Sequence, residues 1–465
     1  MWMVEADPLL RSTIVGLALL DTAPDWPSLV ARVERVTHHV PELREKVVRP
    51  PLHPTTLRWV VDPAFDLGYH LRHVRLPEPG TMRELLDVVR SAAMSGFDRE
   101  RPLWEFTLIE GLDGGRAALC MKAHHVVTDG IGAVQLAAHL FDFDPDTADT
   151  PATTPATTPA TTPRVPTATG QSPVALLRDV IDHDVDGAFD FARRHITSIV
   201  PDLLDAVRHP QRAVSDAIET WKSIGRTVAP TLSRKSTVMT GRTLANDLNM
   251  IEVPVEALRA AARTAGGSLN DGFLAGITGG MRRYHAIHGA EVDDLRVAMP
   301  ISQRGADDAA GGNHVTVMRF TVPAGMPDPG LRIAALHQVA SKIRAERSLA
   351  HTEAIAGALN LMPKGVIGAM LKKVDFLASN VPGMPLPMYL VGSRVHRFYP
   401  FGPTAGSAVN ITLMSYDGTC CMGVNTDAAA IPDPDVFTQC LREGFAEVVA
   451  LADTSGRSAR RKRGS

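Results

Sequence analysis

The run His124-His125-Val126-Val127-Thr128-Asp129-Gly130 carries the densest chemistry in this chain. An imidazole titrates near neutral pH and can take the proton of a hydroxyl, a role worth roughly 10²- to 10⁴-fold in rate. Ala117 to His125 reads as a strand and Ile131 to Phe141 as the helix after it, so the residues between form a tight loop. Gly130 frees the backbone to turn, and Asp129 can brace the loop by pairing with an arginine. Neighbours in a strand point to opposite faces, so only one of the two histidines can look into a given cavity. Leu119, Met121 and Ala123 share a face with His125, whereas Cys120 and Lys122 share one with His124. The more apolar face suits a channel for apolar chains, which favours His125 as the base and His124 in support. Capping a strand is the competing role for any His-His pair. His38-His39, followed by Val-Pro-Glu-Leu with no Asp-Gly, is assigned to structure on that ground.

Asn270-Asp271 is a second candidate, and two readings of it stand side by side. Ser268-x-x-Asp271 has the form of a capping box at the start of a helix. An asparagine amide at that place can also join the backbone N–H groups in holding an oxyanion. Ser379-Asn380-Val381-Pro382-Gly383 is a turn signal that can also line a substrate path. No Gly-x-Ser-x-Gly elbow, Walker A pattern, Gly-x-Gly-x-x-Gly or zinc-like Cys/His spacing is present.

These residues need a scaffold, and the 465-residue chain is long enough for an enzyme of two lobes. With 45% hydrophobic and 21% charged residues it can fill a core, and its net charge of -3 makes no case for nucleic acid. Four cysteines without a CxxC pair suggest a reducing compartment, so a cytoplasmic location is expected. The acidic start Met1-Trp2-Met3-Val4-Glu5 lacks a basic leader, and no stretch of about 18 uncharged apolar residues suggests a membrane span. Residues 1–145 alternate strands and helices, with helices expected over Trp26–His38 and Arg83–Met94. A Pro/Thr-rich linker follows at 146–173, with Pro-Ala-Thr-Thr three times over, and then a mostly helical segment at 174–243. Part of that segment, Val174 to Gln211, is either a core-facing helix or an interfacial amphipathic one. The alternation resumes over 244–455, with a long helix at Leu269–His288, and 456–465 reads as a basic disordered tail. The fold class expected is α/β, as two lobes.

Further motifs stand in order along the chain. Phe65-Asp66, Leu76-Pro77-Glu78-Pro79-Gly80 and Arg101-Pro102-Leu103-Trp104-Glu105 precede the histidines. Pro300-Ile301-Ser302-Gln303-Arg304, Gly312-Asn313 and Ser415-Tyr416-Asp417-Gly418 follow Asn270-Asp271. Together they resemble the wax ester synthase/diacylglycerol acyltransferase family, within the chloramphenicol acetyltransferase-like superfamily of CoA-dependent acyltransferases. The resemblance implies mixed sheets with flanking helices, an active-site tunnel between the lobes, and His125 as catalytic base. It makes Asp129 structural, with Arg304 as a partner. It puts Pro102, Leu103, Trp104, Asp271, Ser302, Arg304, Ser379 and Asn380 along the substrate path, and Asn270 beside the reacting centre. It implies acyl-CoA as substrate, no cofactor and no metal, and direct transfer to diacylglycerol or a long-chain alcohol. Such an acceptor would be met at a membrane or lipid-droplet surface. Two alternatives remain open: the same fold acting on a carrier-protein thioester, and a degenerate lipid-binding or droplet protein. The chain departs from the family's usual Leu-Ser-Pro-x-Asp-like opening, which bears on the N-terminal channel residues rather than on the base.

Overall fold

The computed structural model describes residues 5, 7–48, 58–127, 136–145, 235–302, 315–344, 373–381 and 383–463. The linker, the segment to 234, Asp129, Gly130 and Arg304 lie outside them, as do Gly312, Asn313 and Pro382.

In chain order the first half holds β1 (Thr13–Leu20), α1 (Trp26–His39), β2 (Glu45–Val48), β3 (Arg58–Val61) and β4 (Leu71–Arg75). It continues with α2 (Met82–Met94), β5 (Trp104–Leu112) and β6 (Arg116–His124). The second half opens with β7 (Asn246–Pro254), α3 (Val255–Thr264), α4 (Leu269–Ile287), β8 (Asp294–Ser302), β9 (Val315–Pro323) and α5 (Pro329–Arg344). It closes with β10 (Phe376–Val381), β11 (Tyr389–Leu390), β12 (Ser393–Phe401), β13 (Val409–Tyr416), β14 (Thr419–Asp427) and α6 (Pro434–Arg463).

The strands form two six-stranded mixed sheets, ordered β11-β12-β1-β6-β5-β4 and β7-β14-β13-β10-β8-β9, beside a β2-β3 hairpin. Each sheet has its own apolar core, one around Leu17, Trp104, Phe106 and Leu119, the other around Phe273, Phe376, Ile411 and Phe445. The fold class is therefore the α/β, two-lobed one expected. Sequence order does not separate the two sheets, because Tyr389–Phe401 leaves the second half and pairs with β1 of the first.

The long helices follow from their patterns. α1 begins at an Asp25 cap with Pro27 in its first turn, and α2 at a capping box of Thr81 and Glu84. α4 and α6 approach closely because glycines line the contact. A Cβ on Gly280 would lie 2.6 Å from the Leu441 Cα, and one on Gly444 would lie 2.4 Å from the Gly276 carbonyl oxygen. α6 also runs on to Arg463, through the residues composition marks as an irregular tail. Arg, Lys and Ala sustain a helix once a packed stretch upstream has nucleated it.

Candidate active site

β6 is a central strand, and its last residue, His124, stands across from Thr13 of β1. The strand stops one residue sooner than its pattern suggests, and His125 opens a turn over residues 125–127. Backbone bonds pin that turn from both sides: the His124 N–H donates to the Leu103 carbonyl and the His125 N–H to that of Ser12, each at 2.9 Å. His125 itself is half-buried.

His124 is committed to structure. Its side chain is 3% exposed, its Nε2 lies 2.7 Å from a Glu5 carboxylate oxygen, and its Nδ1 accepts the Val126 N–H at 3.1 Å. With Nδ1 accepting, the ring proton sits on Nε2 and is donated to Glu5. Glu5 also accepts the Ser12 N–H at 2.7 Å, and Arg99 lies 3.3 Å from its other oxygen. Burial alone would push the Glu5 carboxyl up, but the His124 contact and the Ser12 bonds outweigh it and hold the group below its usual range. Sequence reasoning missed Glu5. An acidic residue 119 positions from its partner leaves no periodicity to find.

The face of β6 below His124 is filled in the same way. Lys122, 1% exposed, donates to Ser95 Oγ at 2.8 Å and to the Gly96 carbonyl at 3.1 Å, lies 3.3 Å from Glu105, and sits 4.2 Å over the Phe97 ring. Burial pulls its ammonium down from the ordinary lysine range.

Pro102, Leu103 and Trp104 are all buried and build the wall behind the histidine turn. Leu103 packs with Val47, Val126 and Val127. The Trp104 indole N–H donates to the Leu43 carbonyl at 2.8 Å, and its ring stacks on His70 at 4.7 Å, while His70 Nδ1 bonds back to the Trp104 carbonyl at 2.7 Å. Phe65 also stacks on His70, at 5.3 Å, and Asp66 caps the short helical turn that carries His70. These motifs position the turn from behind.

The second lobe supplies another cluster. Ser268 and Asp271 form the capping box at the start of α4, as one of the two sequence readings has it. Asp271 is fully buried, and the same oxygen that accepts from Ser268 N–H and Oγ lies 2.8 Å from His337 Nδ1 on α5. Next to it, Asn270 Oδ1 accepts from Asn380 Nδ2 at 2.6 Å. That bond fixes the amide so that the Asn270 NH₂ points away from Asn380. Ser379 lies across from Thr412 in the parallel β10–β13 pair and is half-buried. Ser302 is the last residue of β8, opposite Val315. Ser415-Tyr416-Asp417-Gly418 proves to be the hairpin between β13 and β14, with positive φ at Asp417 and Gly418.

A narrow cleft opens beside Thr13, lined among others by Arg11, Met94, Asn246, Phe401 and Asn425 and so by both lobes.

Two mixed sheets, the first completed by β11 and β12 from the second half of the chain, with a His-His turn at the end of a central strand, match the two-lobed class of chloramphenicol acetyltransferase-like folds. The likeness to solved structures agrees. A wax ester synthase/diacylglycerol acyltransferase from Marinobacter aquaeolei VT8 superposes with a TM-score of 0.63 at 21% identity, over 97% of this chain and 98% of that one. A variant of the starter condensation domain of rhizomide synthetase RzmA, in complex with C8-CoA, gives 0.57 at 14% identity over 97% and 92%. Residues 2–273 match the wax ester synthase/diacylglycerol acyltransferase catalytic domain and residues 311–448 the C-terminal domain of the same family. A Mycobacterium tuberculosis H37Rv protein named Putative diacylglycerol O-acyltransferase Rv2484c is 36% identical over 96% of this chain and 90% of its own length. A second from that strain, Rv3087, carries the same description and is 29% identical over 94% and 92%. The chain belongs to the wax ester synthase/diacylglycerol acyltransferase family, and it is an acyltransferase.

Proposed function

We propose that this enzyme transfers a fatty acyl group from acyl-CoA to the hydroxyl of diacylglycerol or a long-chain alcohol, with His125 as general base. The observation that carries this reading is the commitment of His124: with both its ring nitrogens engaged, the proton-transfer role falls to its neighbour. His125 takes the proton of the acceptor hydroxyl, and the oxygen attacks the thioester carbonyl. The tetrahedral intermediate collapses, the C–S bond breaks, and the proton passes to the departing CoA sulfur, giving ester and free CoA. The thioester is already activated, so the step draws on no metal or ATP. Asn270, its amide oriented by Asn380, is suited to donate to the oxyanion. Asp129 is assigned to bracing the turn and Gly130 to its backbone, with Arg304 as the partner of Asp129.

An acceptor of this kind is met at a lipid surface. Among the described residues no helix is long and apolar enough to cross a membrane. The far end of α6 carries Arg460, Arg461, Lys462 and Arg463, each worth about 1 kcal/mol near an anionic surface at low salt. The test is turnover of labelled palmitoyl-CoA with diolein and with hexadecanol, run side by side. Ester and free CoA should appear in equal amounts with at least one acceptor. CoA release with no ester from either would overturn the reading.

A further inference from the structure

A second cavity, of about 410 Å³, opens between the lobes at the other end of β6. Arg116, which lines it, and His124 are eight residues apart on one strand, which sets them about 26 Å from each other. The cavity is therefore remote from the histidine turn, yet its size falls in the range of small-molecule sites.

Its wall is basic. Arg116 and Arg397 come from the first sheet and Arg442 from α6, with His396 beside them and Glu252 as the one carboxylate among the described lining residues. Arg397 Nε donates to Glu252 at 2.8 Å, and the Tyr399 hydroxyl donates to the other oxygen of that carboxylate, so Glu252 is fully used. Arg116 pairs with Asp113, whose side chain is 58% exposed and well screened by water. His396 lies 3.8 Å from Asp21. Arg442 donates to the Met250 carbonyl at 3.1 Å and has no carboxylate partner among the described residues. Guanidinium groups thus converge from both lobes on a cavity whose own carboxylate neutralises only one of them. Leu19, Met82 and Met250 supply apolar wall between them. Such a surplus of planar, forked donors fits the oxygens of a phosphate.

We propose that this interlobe cavity binds a phosphate-bearing anion through Arg442 on one lobe and Arg116 and Arg397 on the other. The phosphate can belong to a soluble phosphate ester or to a lipid headgroup, and two arms separate them. In the first, inorganic pyrophosphate is titrated calorimetrically into the full chain and into the Arg116→Gln and Arg442→Gln variants. In the second, the same proteins are floated with phosphatidic acid vesicles and with neutral phosphatidylcholine vesicles. Saturable pyrophosphate binding, weakened at least about tenfold by either substitution, supports the site and a soluble ligand. Flotation with phosphatidic acid alone, lost in both variants, supports it with a lipid headgroup. Both substitutions replace partly exposed side chains, so melting without ligand should match the parent and fold loss would not confuse the result. No saturable binding in either arm, or binding that both variants keep unchanged, would overturn the proposal.

Discussion

Replacing Glu5 with alanine should damage the histidine turn from a residue that does no chemistry. The side chain is 7% exposed and accepts from His124 Nε2 and from the Ser12 N–H, both at 2.7 Å. Its loss removes the acceptor of both bonds in a mostly dry place, at about 1–3 kcal/mol each. Part of that is regained where the gap lets water in, so a net loss of about 2–4 kcal/mol is expected. The His124 ring then loses one of its anchors, and the bond from Val126 N–H that shapes the turn weakens with it. A displacement of about 1 Å at a reacting group can cost 10²-fold in rate, so kcat/KM should fall by about that factor. Glu5→Gln keeps an acceptor and should lose much less. The sign of the pH effect follows from the depressed carboxyl. A carboxyl whose folded value lies below its unfolded one contributes stability above the unfolded value, and loses it as pH falls through the folded one. Wild type should therefore lose stability relative to Glu5→Gln as the solution is acidified below the ordinary carboxylate range. The assays are thermal melting from neutral to acid pH and steady-state turnover of palmitoyl-CoA. An alanine variant that melts and turns over like the parent would refute the bracing role.

Other substitutions test other parts of the account. Trp104→Phe keeps most of the ring but strands the Leu43 carbonyl, and should cost about 1–3 kcal/mol in denaturant melts without abolishing the fold. Gly444→Ala drives a methyl into the α4 backbone and should destabilise by about 1–3 kcal/mol, read as a lower melting temperature. Asp271→Ala removes the capping box and should cost at least about 1 kcal/mol, whereas His337→Ala, whose ring is 42% exposed, should change stability by less than about 1 kcal/mol. Asn380→Ala frees the Asn270 amide and should lower kcat more than it raises KM, if that amide holds the oxyanion.

The parts of the molecule visible in sequence are those with local signatures. The strand–turn arrangement at the histidines, the helices at 26–39 and 82–94, and the capped start of α4 all follow from spacing within a dozen residues. What sequence hid is long-range. Glu5 meets His124 across more than a hundred residues, and Asn270 meets Asn380 across a similar gap. The passage of Tyr389–Phe401 into the first sheet is likewise invisible, because a strand's alternation does not say which sheet receives it. The Pro102–Trp104 run was readable as a motif, but its indole and carbonyls prove to be spent on Leu43, His70 and His124. Those bonds help to position the turn. The sequence pattern also runs the strand one residue further than the structure does, since backbone bonding to Ser12 and Leu103 decides where β6 stops.

In the proposed mechanism His125, and not His124, moves the proton. Turnover of palmitoyl-CoA with a productive acceptor should be measured for His125→Ala and His124→Ala, each checked for fold by melting. His125→Ala should keep the parent's melting temperature and lose at least about 10²-fold in kcat, while His124→Ala loses stability along with part of its activity. A His125→Ala protein that folds and turns over at the parent rate would contradict the account.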